Sequence, residues 1–106
     1  MSFRFMRVIV MFDLPSTSSG EQREYRKFRR HLMKTGFMMV QESVYSKLAL
    51  NPSAAHAVEG NLKKNKPPDG LVMVLTVTEK QYNSMEIIVG EKQRELLDTT
   101  DRFVCL

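Results

Sequence analysis

Strand-like and helix-like stretches alternate along this chain in an order that few architectures accept. Arg4 to Phe12 is rich in β-branched and aromatic residues and ends at Asp13-Leu14-Pro15, where proline removes a ladder donor, which predicts a buried strand. Ser16 to Gly20 then reads as a loop, and both Ser18 with Glu21 and Ser19 with Gln22 have capping-box spacing, so a helix begins there. Tyr25, Phe28 and Leu32 recur along one face of that helix and Arg23, Lys27, Arg30 and Lys34 along another, with Gly36 placed to supply a left-handed cap. Phe37 to Leu50 is strand-like but too long for one flat strand, so Gln41-Glu42-Ser43 in its middle predicts a kink or a tight hairpin, and two strands are expected. Asn51 followed by Pro52 starts a second helix, with Ala54, Val58 and Leu62 on one face and Lys63, Lys64 and Lys66 at its exit. Asp69-Gly70 is a turn, and Leu71 to Thr78 a nearly continuous apolar strand.

That order, strand-helix-strand-strand-helix-strand, is the split βαβ arrangement of the ferredoxin-like α/β (α+β) fold: a four-stranded antiparallel sheet with two helices on one face. A short helix follows from Thr78 to Met85, with Thr78 and Gln81 as its capping pair, and Glu86 to Val89 and Arg102 to Leu106 read as two short extra strands. The expectation is a single domain over 1–106, with a core at 1–78 and an extension at 79–106 for dimer or partner contacts. Two layers leave one sheet face bare, and a second copy of the chain is the economical cover for it.

At 106 residues the chain has room for one core and not two domains. The apolar windows Val8 to Phe12 and Leu71 to Leu75 fall far short of the roughly 20 residues that span a bilayer. The apolar run behind Arg4 and Arg7 ends at Asp13 without a small-residue cleavage site, so the chain reads as unprocessed and cytoplasmic. Cys105 is the sole cysteine, which excludes an internal disulfide, and no Cys or His cluster offers zinc ligands; any metal would be held by oxygen. The net charge is only +4, yet more than half of the 16 Lys and Arg residues sit in the two stretches Arg23 to Lys34 and Lys63 to Lys66. Such clustering points to an anionic partner.

Together, Met11-Phe12-Asp13-Leu14-Pro15, the basic helix Arg23 to Lys34, Gly36-Phe37, Gln41-Glu42-Ser43-Val44-Tyr45 and Leu75-Thr76-Val77-Thr78 resemble the small CRISPR-associated Cas2 family, closest to the versions that accompany Cas9 (type II) systems. The resemblance runs through nearly the whole chain in order. It implies a homodimer of ferredoxin-like domains that binds duplex DNA and bridges the Cas1 integrase during spacer acquisition, with metal-dependent endonuclease activity on DNA or RNA in many members. Two departures stand out: Phe12 replaces a tyrosine common in the family, and nine residues, Leu14 to Gln22, separate Asp13 from the next arginine.

Asp13 is the candidate catalytic and metal-binding residue. A strand-end carboxylate beside a symmetry axis can pair with its copy to hold one Mg²⁺ or Mn²⁺, which suits oxygen ligands and activates water; the plainer alternative is a cap on the Leu14-Pro15 turn. Arg23, Arg26, Lys27, Arg30 and Lys34, with Arg29 beside them, are the candidate nucleic-acid contacts, since few counter-charges lie nearby and phosphate binding needs no base reading. Lys63, Lys64 and Lys66 serve equally as phosphate contacts or as complements to a helix dipole. Phe12, Phe37 and Tyr45 read as core residues before base-stacking ones, Ser43 as a turn residue, and His31 and His56 as isolated surface residues. Two rival functions remain: an RNA-cleaving toxin of related fold, and a purely architectural DNA-binding protein.

Overall fold

In the computed structural model, which describes residues 4–90, Met6–Asp13 forms strand β1. Its side chains alternate: Val8, Val10 and Phe12 enter the core cluster, and Arg7, Ile9, Met11 and Asp13 share the opposite face. Helix α1, Ser19–Lys34, follows, and of the two possible capping boxes the chain uses Ser18 with Glu21. Ser18 Oγ accepts from the Glu21 N–H at 3.1 Å, and Glu21 Oε1 accepts from the Ser18 N–H at 3.1 Å. Gln22 instead donates to the Ser16 carbonyl.

Glu21 also accepts from the Thr17 N–H and Oγ1. These bonds, the Ser18 backbone N–H foremost, hold its carboxyl below the ordinary glutamate range. A lowered folded-state pKa stabilises above the unfolded value, and the contribution is lost as pH falls through the folded one. Glu21→Gln keeps a capping box but removes the charge. In urea unfolding the gap between wild type and variant is therefore expected to be widest near neutral pH and to close on acidification; a pH-independent gap would show that the charge plays no part.

At the other end of α1, the Phe37 N–H bonds the Leu32 carbonyl at 2.9 Å and the Gly36 N–H that of Met33 at 3.2 Å, with Gly36 at φ +101°. This is the Schellman closure that the glycine permits. Strands β2, Met38–Gln41, and β3, Val44–Ala49, form the expected hairpin, with a bulge between Met39 and Gln41. Helix α2, Pro52–Lys64, is capped by Asn51 Oδ1, which accepts from the Ala54 N–H at 2.7 Å; strand β4 is Leu71–Thr78. The sheet order is β2-β3-β1-β4, antiparallel throughout. Phe28 and Leu32 of α1 and Ala55 and Leu62 of α2 pack against Val8, Val10 and Phe12 on one face. Both helices thus lie in one layer, as expected.

The other face is not wholly bare. Helix α3, Glu79–Asn83, capped by Thr78 and Gln81, folds across part of it. Arg7 Nε donates to Glu79 Oε1 at 2.8 Å and Nη2 to Oε2 at 2.5 Å, the guanidinium lies 4.5 Å from the Tyr82 ring centroid, and Ser46 Oγ bonds the Tyr82 hydroxyl at 3.2 Å. Ile9 and Ser46 are buried as a result. Beyond α3, Leu48, Leu71, Met73 and Leu75 stay exposed on this face.

The short strand expected at Glu86 to Val89 does not form. Extended residues become a strand only by pairing with an edge, and here Ile88 and Val89 are 84% and 90% exposed, with no ladder partner among the described residues. The strand expected at Arg102 to Leu106, and Cys105, lie outside the described residues.

Candidate metal site and nucleic-acid interface

Asp13 ends β1 opposite Leu71, the first residue of β4. Its main chain is held on three sides. The ladder fixes it against Leu71, the neighbouring Phe12 N–H bonds the Ser43 carbonyl at 3.1 Å, and Gly70, at φ +95°, sits so close that a Cβ there would lie 2.8 Å from the Asp13 carbonyl oxygen. Following Met11 by alternation, Asp13 belongs to the face opposite the helices, and it is exposed. The carboxylate that caps the Asp69-Gly70 turn is that of Asp69, whose Oδ1 accepts from the Gly70 N–H at 2.8 Å. Among the described residues no three His, Cys, Asp or Glu side chains gather to ligate a metal, at Asp13 or elsewhere.

Arg23, Arg26, Lys27, Arg30 and Lys34 are all exposed along α1. Arg29, in the same run, is committed elsewhere: its Nε donates to the hydroxyl of fully buried Tyr45 at 2.7 Å, a bond that raises the guanidinium pKa above its ordinary value. It satisfies the polar end of a core residue. Sequence spacing separates α1 from the Lys63 to Lys66 cluster; the fold joins them, since Lys27, Arg30 and Lys34 share one groove with Lys64 and Lys66. Lys63, Arg23 and Arg26 do not line it.

His31, read from sequence as an isolated surface residue, is half-buried, and its Nε2 lies 3.0 Å from Asn61 Oδ1, tying α1 to α2. A lone histidine carries no sequence signal for a partner 30 residues on. His56 is exposed and faces Glu59 at 3.9 Å. Phe12, Phe37 and Tyr45 are core residues, and Ser43 lies in the β2-β3 turn.

Fold and site together define a small ferredoxin-like α+β domain with an exposed strand-end aspartate on one face and a cationic helix layer on the other. The family model described as CRISPR associated protein Cas2 matches residues 6–85, and the chain belongs to that family. A relative from Treponema denticola, named CRISPR-associated endoribonuclease Cas2, is 54% identical over 101 residues, covering 95% of this chain and 100% of that protein. One of the same name from Streptococcus mutans UA159 is 46% identical, covering 95% and 93%. A solved chain titled "Crystal structure of cas2" superposes with a TM-score of 0.56 at 24% identity, covering 84% of this chain and 91% of that one, and shares the fold. Among the described residues no helix is long and apolar enough to cross a membrane.

Proposed function

We propose that two copies of this chain pair through the open sheet face and act in the cytoplasm on nucleic acid, as the Cas2 component that accompanies a Cas9 (type II) system. The carrying observation is the exposed Asp13 carboxylate at the rim of an apolar face: Leu71, Met73 and Leu75 are 54%, 49% and 51% exposed along the strand beside it. Contiguous apolar surface of this kind marks an association site. A face-to-face pair sets a second Asp13 near the first. Mg²⁺ or Mn²⁺ suits that donor set, because hard cations accept one or two carboxylates and keep several waters. When bound, the ion would activate water for phosphodiester hydrolysis. The protein's part is to hold both carboxylates still, which the Leu71 ladder, the Ser43 bond and the close approach of Gly70 support.

In this reading Arg23, Arg26, Lys27, Arg30 and Lys34 bind duplex DNA through backbone phosphates, and the dimer bridges the Cas1 integrase for spacer acquisition. The relatives' name, endoribonuclease, makes RNA the second substrate to test. That no three ligating side chains gather among the described residues favours a second version, in which the dimer fixes the distance between integrase copies without cutting.

The deciding experiment measures mass in solution and cleavage of labelled duplex DNA and single-stranded RNA with Mg²⁺, Mn²⁺ or chelator, beside Asp13→Asn. The expected result is a dimer in both proteins and metal-dependent cutting that falls about 100-fold or more in the variant, as when several kcal/mol of transition-state stabilisation is removed. No cutting by either protein, with duplex binding intact, would replace the nuclease by the architectural version.

A further inference from the structure

We propose that the groove between α1 and the exit of α2 is a backbone-phosphate clamp for nucleic acid, separate from Asp13 and built from two walls that lie far apart in sequence. The proposal rests on the reading that the chain binds nucleic acid and assigns that binding a place. The groove is open to solvent and holds about 340 Å³. Lys27, Arg30 and Lys34 form the α1 wall and Lys64 and Lys66 the α2 wall, against a single lining carboxylate, Glu24. The ion pairs Arg7–Glu79 and His56–Glu59, the two found among the described residues, involve none of these five cations. The His31–Asn61 hydrogen bond at 3.0 Å links the two helices, so the walls are joined before any ligand arrives.

The chemistry selects a polyanion backbone over an acidic protein surface. Protein interfaces draw their affinity from Trp, Tyr and Arg anchors in fully desolvated pockets, whereas Arg30 here is exposed. Here the one aromatic residue at the groove, Phe28, is 3% exposed and already spent on the core, and Pro67 is half-buried. What remains at the surface is flexible cations, sufficient for phosphates and blind to sequence. The placement also matters. The groove belongs to the helix layer, whereas Asp13 lies on the far face of the sheet, so a strand held in the clamp is not the one presented to Asp13 of the same chain. Binding and cutting are therefore separable, and in a face-to-face dimer the two clamps lie on opposite outer sides.

The test compares the full-length protein with a Lys64→Glu, Lys66→Glu variant, a Lys27→Glu, Arg30→Glu variant, and an Arg4→Glu, Lys80→Glu control carrying the same charge change on exposed residues outside the groove. Binding of labelled duplexes of several sequences is followed across a salt series, with thermal unfolding to confirm the fold. Each wall variant is expected to bind roughly tenfold more weakly for every sequence, and the slope of log K against log salt to fall by about 0.9 for each duplex phosphate that is no longer neutralised. An α2-wall variant that binds as wild type does, or a control that weakens equally, would overturn the clamp while leaving nucleic-acid binding in place. Polyglutamate competing as well as an oligonucleotide of equal charge would also overturn it, in favour of an acidic protein partner. Wild-type protein that binds no nucleic acid would instead defeat the broader reading.

Discussion

Replacing Phe12 by alanine is expected to lower the unfolding free energy by about 3–5 kcal/mol, the range for removing a buried aromatic side chain from a core. Phe12 is 5% exposed, and its ring joins three others: edge to face with Phe28 at 5.3 Å and with Tyr25 at 6.0 Å, and stacked on Tyr45 at 5.7 Å. Those partners come from α1 and β3, so this single residue joins the helix layer to the sheet. The upper half of the range applies if the void stays open, because Tyr45 is anchored by Arg29 at 2.7 Å and is poorly placed to collapse into it. Small domains have about 5–15 kcal/mol to lose, so the variant should unfold at much lower urea, and at the low end of that range it would not stay folded at all. Urea midpoints give the number. Tyr45→Phe is the informative companion: it keeps the stack and frees Arg29, and should cost about 1.5–3 kcal/mol, the net worth of one hydrogen bond to a charged group. A Phe12→Ala loss below that of Tyr45→Phe would mean the aromatic cluster is not what holds the layers together.

The same residues show why so much of the fold was legible and where legibility stopped. Local chemistry announced its own boundaries. The Ser18 and Asn51 caps, Pro52 at the first helical position, Gly36 and the Asp69-Gly70 turn are interactions between near neighbours, visible as spacing. Alternation along β1 then fixed which residues face the helices. What spacing could not show were interactions across the fold. α3 closes over part of the open face because Arg7 meets Glu79, 72 residues on, and Tyr82 reaches Ser46, 36 residues back. Arg29 bonds Tyr45, and Lys64 and Lys66 join Lys27 and Arg30 only once α1 and α2 lie side by side. Glu86 to Val89 failed as a strand for the complementary reason: strand-like composition supplies the residues of a ladder but not its other half.

Gly70→Ala is expected to destabilise the protein by about 2–4 kcal/mol, the sum of about 1–2 for a left-handed alanine and about 1–3 for forced packing, less what relaxation recovers. The glycine has φ +95°, and an added Cβ would stand 2.7 Å from Leu14 Cδ2, 2.8 Å from the Asp13 carbonyl oxygen and 3.1 Å from Leu14 Cα. Leu14 Cδ2 can turn away, but the two main-chain atoms move only if the end of β1 moves. Gly36→Ala provides the contrast: φ is +101°, yet the nearest atom is the far end of the Lys47 side chain at 3.1 Å, flexible although its Nζ donates to the Thr35 carbonyl. It should cost about 1–2 kcal/mol for the backbone, and more only if the Lys47 bond is lost. If the end of β1 does shift and the proposed nuclease is active, Gly70→Ala should also weaken metal-dependent cutting, measured well below its unfolding midpoint, while Gly36→Ala at matched stability should not. That difference tests whether the β1-β4 end is a rigid seat for Asp13, because a merely structural glycine would lower stability without separating the two variants in activity.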